Sequence, residues 1–252
     1  MQLATSVVLI TGASRGLGRA AARLFAARGA RLILTARDAG ALEETAAALG
    51  RGTGPDGRPP EVLAVPGDVA SAGHAERLVR RGLSRFGRID VLINNASTLG
   101  ASPMPRLEAL DPSIFDEILR VNVTAPLRLI QLVLPQMTAR RTGVIINVSS
   151  DAAVEAYPGW GGYGASKAAL EHLTRILSAE IAGTGVRAYV VDPGEMNTQM
   201  HRDAEPGVDL SHLPPPDVAA SALVRLVEDE QQPAFGRVLA QRMAAQPLEP
   251  VS

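Results

Sequence analysis

The 252-residue chain has no cysteine. Disulfides, thiolate nucleophiles and cysteine-ligated metals are therefore excluded, and the composition suits a reducing compartment. Aromatic residues are scarce, with one Trp, three Tyr and four Phe. Neither sign of charge dominates: 25 Lys+Arg face 26 Asp+Glu, for a formal net charge of -1. That balance gives no electrostatic footprint for nucleic acid or an anionic membrane. No single apolar run approaches the ~20 residues that span a bilayer. The opening residues "MQLATSVVLITGAS" lack the basic n-region and long apolar core of a secretory signal. A cytoplasmic protein, binding neither nucleic acid nor membrane, is the expectation.

What is present is an alternation. Short β-branched or Leu-rich runs occupy 6–11, 31–36, 61–66, 89–94, 143–149 and 186–192, with a weaker one at 236–240. They are continuously apolar, as parallel strands covered on both faces are. Ala-rich helical patterns fill 15–27, 39–49, 74–86, 115–139, 163–182 and 217–230. The alternation predicts an α/β protein with a Rossmann-like doubly wound parallel sheet, forming a single domain over 1–252. Pro126 and Pro135 predict a kink or break in the long helical stretch. The loop at 201–217 follows a strand end, where open α/β sheets bind ligands, and is expected to be a lid or binding loop. The tail "QPLEPVS" reads as frayed or packed against a partner.

After the first strand comes "TGASRGLGRAAARLF", with Gly12, Gly16 and Gly18 opening a helix. A strand feeding a glycine turn into a helix builds an anion site, because backbone N–H groups and the positive helix end face a pyrophosphate. The second strand ends in "LTARD". An acid there suits an adenosine ribose, whereas an arginine suits a 2′-phosphate. Arg37 comes first, Asp38 next, and Arg15 lies in the glycine turn. Two guanidinium groups near one ribose suit a phosphate dianion, so NADP(H) is expected over NAD(H).

With these motifs in order, the sequence resembles the short-chain dehydrogenase/reductase family over about 6–240. "TGASRGLG" resembles the family's cofactor turn, which implies contacts from Gly12, Ser14, Arg15, Gly16, Leu17 and Gly18. "GDV" implies Asp68 and Val69 at the adenine. "NNAS" implies Asn95 and Ala96 at the cofactor, and it departs from the usual N-N-A-G by ending on Ser97. "VNVTAP" carries Asn122 at the family's active-site asparagine. "INVSS" supplies Ser150, thirteen residues before Tyr163, which is the family spacing and favours Ser150 over Ser149. "YGASK" is similar to its Y-x-x-x-K. "DPGEMNT" resembles the segment that holds the nicotinamide carboxamide, through Pro193, Gly194, Met196 and Thr198.

Reducing a ketone leaves an alkoxide that needs a proton, and a free phenol near pKa ~10 is a poor base for the reverse step. An ammonium one helical turn away is expected to lower it. Tyr163 is thus the expected proton donor and acceptor beside Lys167. The resemblance also implies that Lys167 binds the nicotinamide ribose, that Ser150 holds the substrate oxygen, and that Asn122 anchors a water. Trp160, Met196 and Met200 could wall a pocket. His201 and His212 read as loop residues, and no metal site is expected. The expected activity is an oxidoreductase on a carbonyl or secondary alcohol. By resemblance it is a homodimer or homotetramer joined by the helices after the fourth and fifth strands. Two alternatives remain: a non-catalytic NADP(H) sensor of the same fold, and a sugar-nucleotide epimerase or dehydratase. The second needs a larger C-terminal region than the about sixty residues after Pro193.

Overall fold

The apolar runs become strands of one sheet. In the computed structural model, which describes residues 1–244, the strands are β1 (Val7–Thr11), β2 (Arg31–Thr35), β3 (Val62–Ala64), β4 (Val91–Asn94), β5 (Gly143–Val148), β6 (Val186–Asp192) and β7 (Phe235–Leu239). Their order is β3-β2-β1-β4-β5-β6-β7, and every neighbouring pair is parallel. The weakest expected strand thus forms, as the edge strand beside β6. The tail from 246 onward lies outside the described residues.

The helices are α1 (Gly16–Ala27), α2 (Ala39–Gly50), α3 (Ala72–Phe86), α4 (Pro112–Leu119), α5 (Ala125–Ala139), α6 (Gly161–Glu180), α7 (Gln199–Ala204), α8 (Pro216–Glu228) and α9 (Ala240–Ala244). Side chains of successive strand residues point to opposite faces. Val8 and Ile10 of β1 therefore pack with α1 and α8, while Val7 and Leu9 pack with α3 and α5. Both faces are dry, which is why the strand sequences do not alternate. The chain runs from β1 out to β3, then returns to the other side of β1 with β4. That reversal opens a crevice at the carboxyl ends of β1 and β4.

The long helical stretch leaves α-geometry at one proline and not at the other, and it does not break at either. Pro126 has no N–H to close an α-helical bond to Asn122 O. Just before it, Arg120–Thr124 form a π turn, with Ala125 N–H donating to Arg120 O. Pro135 sits inside α5 without ending it. End to end, Pro112–Ala139 is long enough to cross a membrane, and one 18-residue window of it has a mean hydropathy of 1.2, although no single apolar run signals this. Its Leu129, Ile130, Val133 and Met137 are instead buried against the sheet. The expected loop at 201–217 is partly helical, since α7 covers its start and α8 begins at Pro216.

Candidate active site

The glycine turn joins β1 to α1 at the crevice. Gly12 and Gly16 adopt φ of 65° and 53°, a region that glycine occupies without strain. Gly18 serves packing: a Cβ there would strike Gly12 O and lie 2.6 Å from Asn95 Nδ2. No side chain caps α1, so its first N–H groups stay available to an anion. The start of α2 is closed, because Asp38 Oδ1 accepts from Ala41 N–H at 3.0 Å. Across the crevice, Thr11 Oγ1 accepts from the N–H groups of Asn95 and Ala96, both at 2.9 Å. Asn95 Nδ2 donates back to Thr11 O at 2.8 Å. These bonds clamp the exit of β4 to the turn.

The crevice is a cleft of ≈ 560 Å³. The ends of β1, β2 and β3 contribute Gly12, Ser14, Arg15, Gly16, Leu17, Arg37, Asp68 and Val69. Asn95 and Ala96 come from the β4 exit, and Tyr163, Lys167, Pro193, Met196 and Thr198 from beyond β5 and β6. Gly18 and Gly194 do not line it, and neither do Asn122 and Ser150. Arg15 and Arg37 are exposed, and their guanidinium groups have no hydrogen-bond or ion-pair partner among the described residues. Thr198 caps α7, accepting from His201 N–H at 3.3 Å. Ser102 Oγ donates to Asp203 O at 2.6 Å, which ties the loop after β4 to that helix. Met200 lines the cleft; Trp160 does not, and packs edge-on against Tyr163 with centroids 5.8 Å apart.

Helix α6 starts at Gly161, so Tyr163 sits in its first turn and Lys167 one turn on. Gly164 lets this helix approach the turn after β5, because a Cβ there would lie 2.6 Å from Ala152 O. Tyr163 is buried and lines the cleft, and the Ser150 and Ser97 hydroxyls favour its phenolate form. Ser150 Oγ donates to Asp151 Oδ1 at 2.8 Å. Ser149 donates to Glu171 Oε1 at 2.7 Å, so its hydroxyl is taken up by that carboxylate. Lys167 Nζ is buried, donates to Val148 O at 2.8 Å and lies 5.4 Å from the Tyr163 ring centroid.

The expected lowering of Tyr163 by Lys167 is not what the structure shows. Burial pushes the phenol above its ordinary value, against the downward pull of the Ser150 and Ser97 hydroxyls. The cost of withdrawing a phenolate from water dominates, and the Asp151 and Asp192 carboxylates push the same way. Burial also lowers Lys167 to about 8, partly opposed by Glu171. Asn122 differs from expectation too, since its whole side chain is used internally. Its Nδ2 donates to Thr98 O and Ser166 Oγ, both at 2.9 Å. Its Oδ1 accepts from Thr98 N–H at 2.8 Å and Ser97 Oγ–H at 3.1 Å. The side chain pins the loop after β4 to α6 rather than facing the cleft.

Some supporting groups escaped the motif reading. Arg237 of β7 donates through Nε to Glu171 Oε1 and through Nη2 to Asp192 Oδ2, both at 3.1 Å, and reaches Ser150 O at 3.2 Å. A signal existed: Glu171 follows Lys167 by one turn, and an acid on a buried helix face needs a cationic partner. His74, buried under the Gly67–Asp68 segment, pairs with Thr35 Oγ1 and Arg77 Nη2, both at 2.8 Å. Composition held a third signal, since Lys167 is the only lysine among 24 arginines. A guanidinium stays charged everywhere, whereas a buried ammonium can titrate.

The short chain dehydrogenase family model matches residues 6–209. A 3-oxoacyl-[acyl-carrier-protein] reductase of Thermotoga maritima is 31% identical over 250 residues, covering 95% of this chain and 97% of the relative. A 2-(R)-hydroxypropyl-CoM dehydrogenase of Xanthobacter autotrophicus is 38% identical over 194 residues, covering 77% of this chain and 76% of the relative. A solved metagenomic short-chain oxidoreductase in complex with NADP is similar with a TM-score of 0.79 at 29% identity, covering 95% of this chain and 97% of that one.

Proposed function

Since the chain belongs to the short-chain dehydrogenase/reductase family, we propose that it transfers hydride between NADP(H) and a ketone, aldehyde or secondary alcohol, with Tyr163 as general acid and base. Family membership makes it an NAD(P)-dependent oxidoreductase of CH–OH and C=O groups. The observation that carries the finer reading is one shared cleft. Tyr163 opens into the same space as the uncapped start of α1 and the unpartnered guanidinium groups of Arg15 and Arg37. Free helix N–H groups suit a pyrophosphate, and two free guanidinium groups suit a ribose 2′-phosphate.

A bound nicotinamide supplies or accepts the hydride. The chain's own residues do the rest. Tyr163 Oη gives a proton to the substrate oxygen in reduction and takes it back in oxidation. Ser150 holds that oxygen beside the phenol. Lys167, lowered to about 8, is an ammonium at neutral pH and bonds the ribose hydroxyls. Asn122 acts from behind, by holding the loop that carries Ser97 and Thr98. Pro193 presents its backbone to the carboxamide, and Met196 and Met200 give the substrate side an apolar wall. Both named relatives carry a carbonyl or secondary alcohol in their substrate names, which supports that class. The whole chain works as one dinucleotide-binding domain in the cytoplasm. Leu127 on α5 and Ile176 on α6 are 38% and 43% exposed, which supports a homodimer or homotetramer joined through these helices.

The test is a panel of ketones, aldehydes and alcohols followed by NADPH absorbance. Turnover is expected with at least one carbonyl, and Tyr163→Phe is expected to lose it by about 100-fold or more while circular dichroism shows the fold retained. A folded Tyr163→Phe protein with most of its turnover would overturn the proton-transfer role.

A further inference from the structure

We infer that His74 is a positioning residue for the adenosine end of the cofactor: from behind the cleft, its ring fixes the Gly67–Asp68 turn against the end of β2. This rests on the dinucleotide-binding reading above and deepens it. Gly67, Asp68 and Val69 line the cleft beside Ala36, Arg37 and Asp38, whereas His74 does not. Its side chain is nonetheless turned inward, with 3% exposure.

The turn needs such a support. β3 is a three-residue edge strand, paired with β2 alone and only half-buried. Past its end, Gly67 N–H donates to Ala36 O at 2.9 Å, and Asp68 Oδ1 accepts from Ala70 N–H at 2.9 Å within the turn itself. His74 lies in the first turn of α3, with its ring directly beneath Gly67. A Cβ on Gly67 would strike that ring, so the glycine rests on the imidazole.

Two hydrogen bonds hold the ring, and together they set its tautomer. Arg77 Nη2 lies 2.8 Å from His74 Nδ1. A guanidinium has no acceptor, so Nδ1 accepts and the ring hydrogen sits on Nε2. Nε2 therefore donates to Thr35 Oγ1 at 2.8 Å. Thr35 is the last residue of β2 and leads into Arg37 and Asp38. Its carbonyl accepts from Ala13 N–H of the glycine turn at 3.1 Å. A charged imidazolium would face Arg77 and the positive end of α3, and burial and the Arg77 charge both lower His74. The ring is thus neutral at pH 7, with both nitrogens committed. It joins the segment that carries Arg37 to the segment that carries Asp68.

The test titrates the full chain with NADPH, NADH and adenosine 2′,5′-bisphosphate by calorimetry, which needs no turnover. His74→Ala is expected to weaken all three by about tenfold, the scale of one hydrogen bond. With a carbonyl substrate, kcat at saturating NADPH is expected to stay within about twofold while KM for NADPH rises. His74→Gln places an amide N–H near Thr35 Oγ1 and is expected to recover most of the affinity. Thr35→Val removes the acceptor and keeps the shape. Alone it is expected to weaken all three, and on top of His74→Ala to add less than about twofold, because both act through one bond. Thr35→Val carries the same reading where His74→Ala does not fold. Folded His74→Ala or Thr35→Val proteins that bind all three ligands like the wild type overturn the inference. So does a loss with NADPH and not NADH, or a fall in kcat at unchanged affinity. If affinity depends on His74 while the wild type turns over no carbonyl, the oxidoreductase reading fails and the positioning role stands. If the wild type binds none of the three, the dinucleotide reading fails and this inference falls with it.

Discussion

The Lys167 ammonium lies 5.4 Å from the Tyr163 ring centroid, yet its hydrogen bond goes to Val148 O at 2.8 Å. The two side chains share one face of α6, and burial moves both toward their neutral forms: the phenol upward and the ammonium down to about 8. The native state at pH 7 therefore holds a buried cation with one neutral acceptor.

That cation has a measurable cost to stability. Unfolded, Lys167 holds its proton up to about 10.5; folded, only to about 8. Between those values the unfolded state binds more protons, so stability rises with pH across the window. Below it both states are protonated and the cost of burying the charge is fully present, on the order of 3 kcal/mol. Lys167→Met removes that cost and loses one hydrogen bond of about 1 kcal/mol. The variant is expected to be about 2 kcal/mol more stable than wild type at pH 7, with the margin shrinking from pH 8 to 10.5. Urea unfolding at several pH values checks this, and a margin that grows with pH contradicts it.

Arg37 supplies a test of cofactor choice. A charge-assisted bond to a phosphate is worth about 1.5–3 kcal/mol, or roughly 10–100-fold in affinity. Arg37→Ala is expected to lower kcat/KM for NADPH by that factor and leave kcat/KM for NADH within about twofold. Equal losses with both cofactors would mean that Arg37 does not meet the 2′-phosphate.

Arg237 holds two carboxylates whose side chains are 5% and 6% exposed, Glu171 and Asp192. Leaving buried charges unpaired costs about 3–5 kcal/mol. Arg237→Ala is expected to lose about that much in urea unfolding at pH 7, and Arg237→Lys less. Loss of the bond to Ser150 O is expected to lower kcat as well. A change in stability below about 1 kcal/mol would show the cluster to be solvated.

Much of this was legible locally. The strands announced themselves because a sheet covered on both faces needs unbroken apolar runs, and all seven formed close to the expected places. Even the edge strand, weak because its residues are half-buried, was visible. The disturbance at Pro126 was legible because a missing N–H is a property of one residue, although the π turn that absorbs it without a break was not. Asn122 was placed correctly in the chain and given the wrong surroundings, because its four partners come from other segments.

The sequence by itself determined the alternating architecture, the glycine turn at the first strand, and the placing of Tyr163 and Lys167 on one helical face. Each of these depends on residues within a turn or a strand of one another. Only the tertiary structure decided which way the phenol's acidity moves, what the Ser97 and Asn122 side chains bond, and what neutralises Glu171. Arg237 lies sixty-six positions after Glu171. Spacing along a helix sets which side chains are neighbours there; how much water they lose, and to which distant groups they bond, is set by segments that meet only when the sheet is assembled.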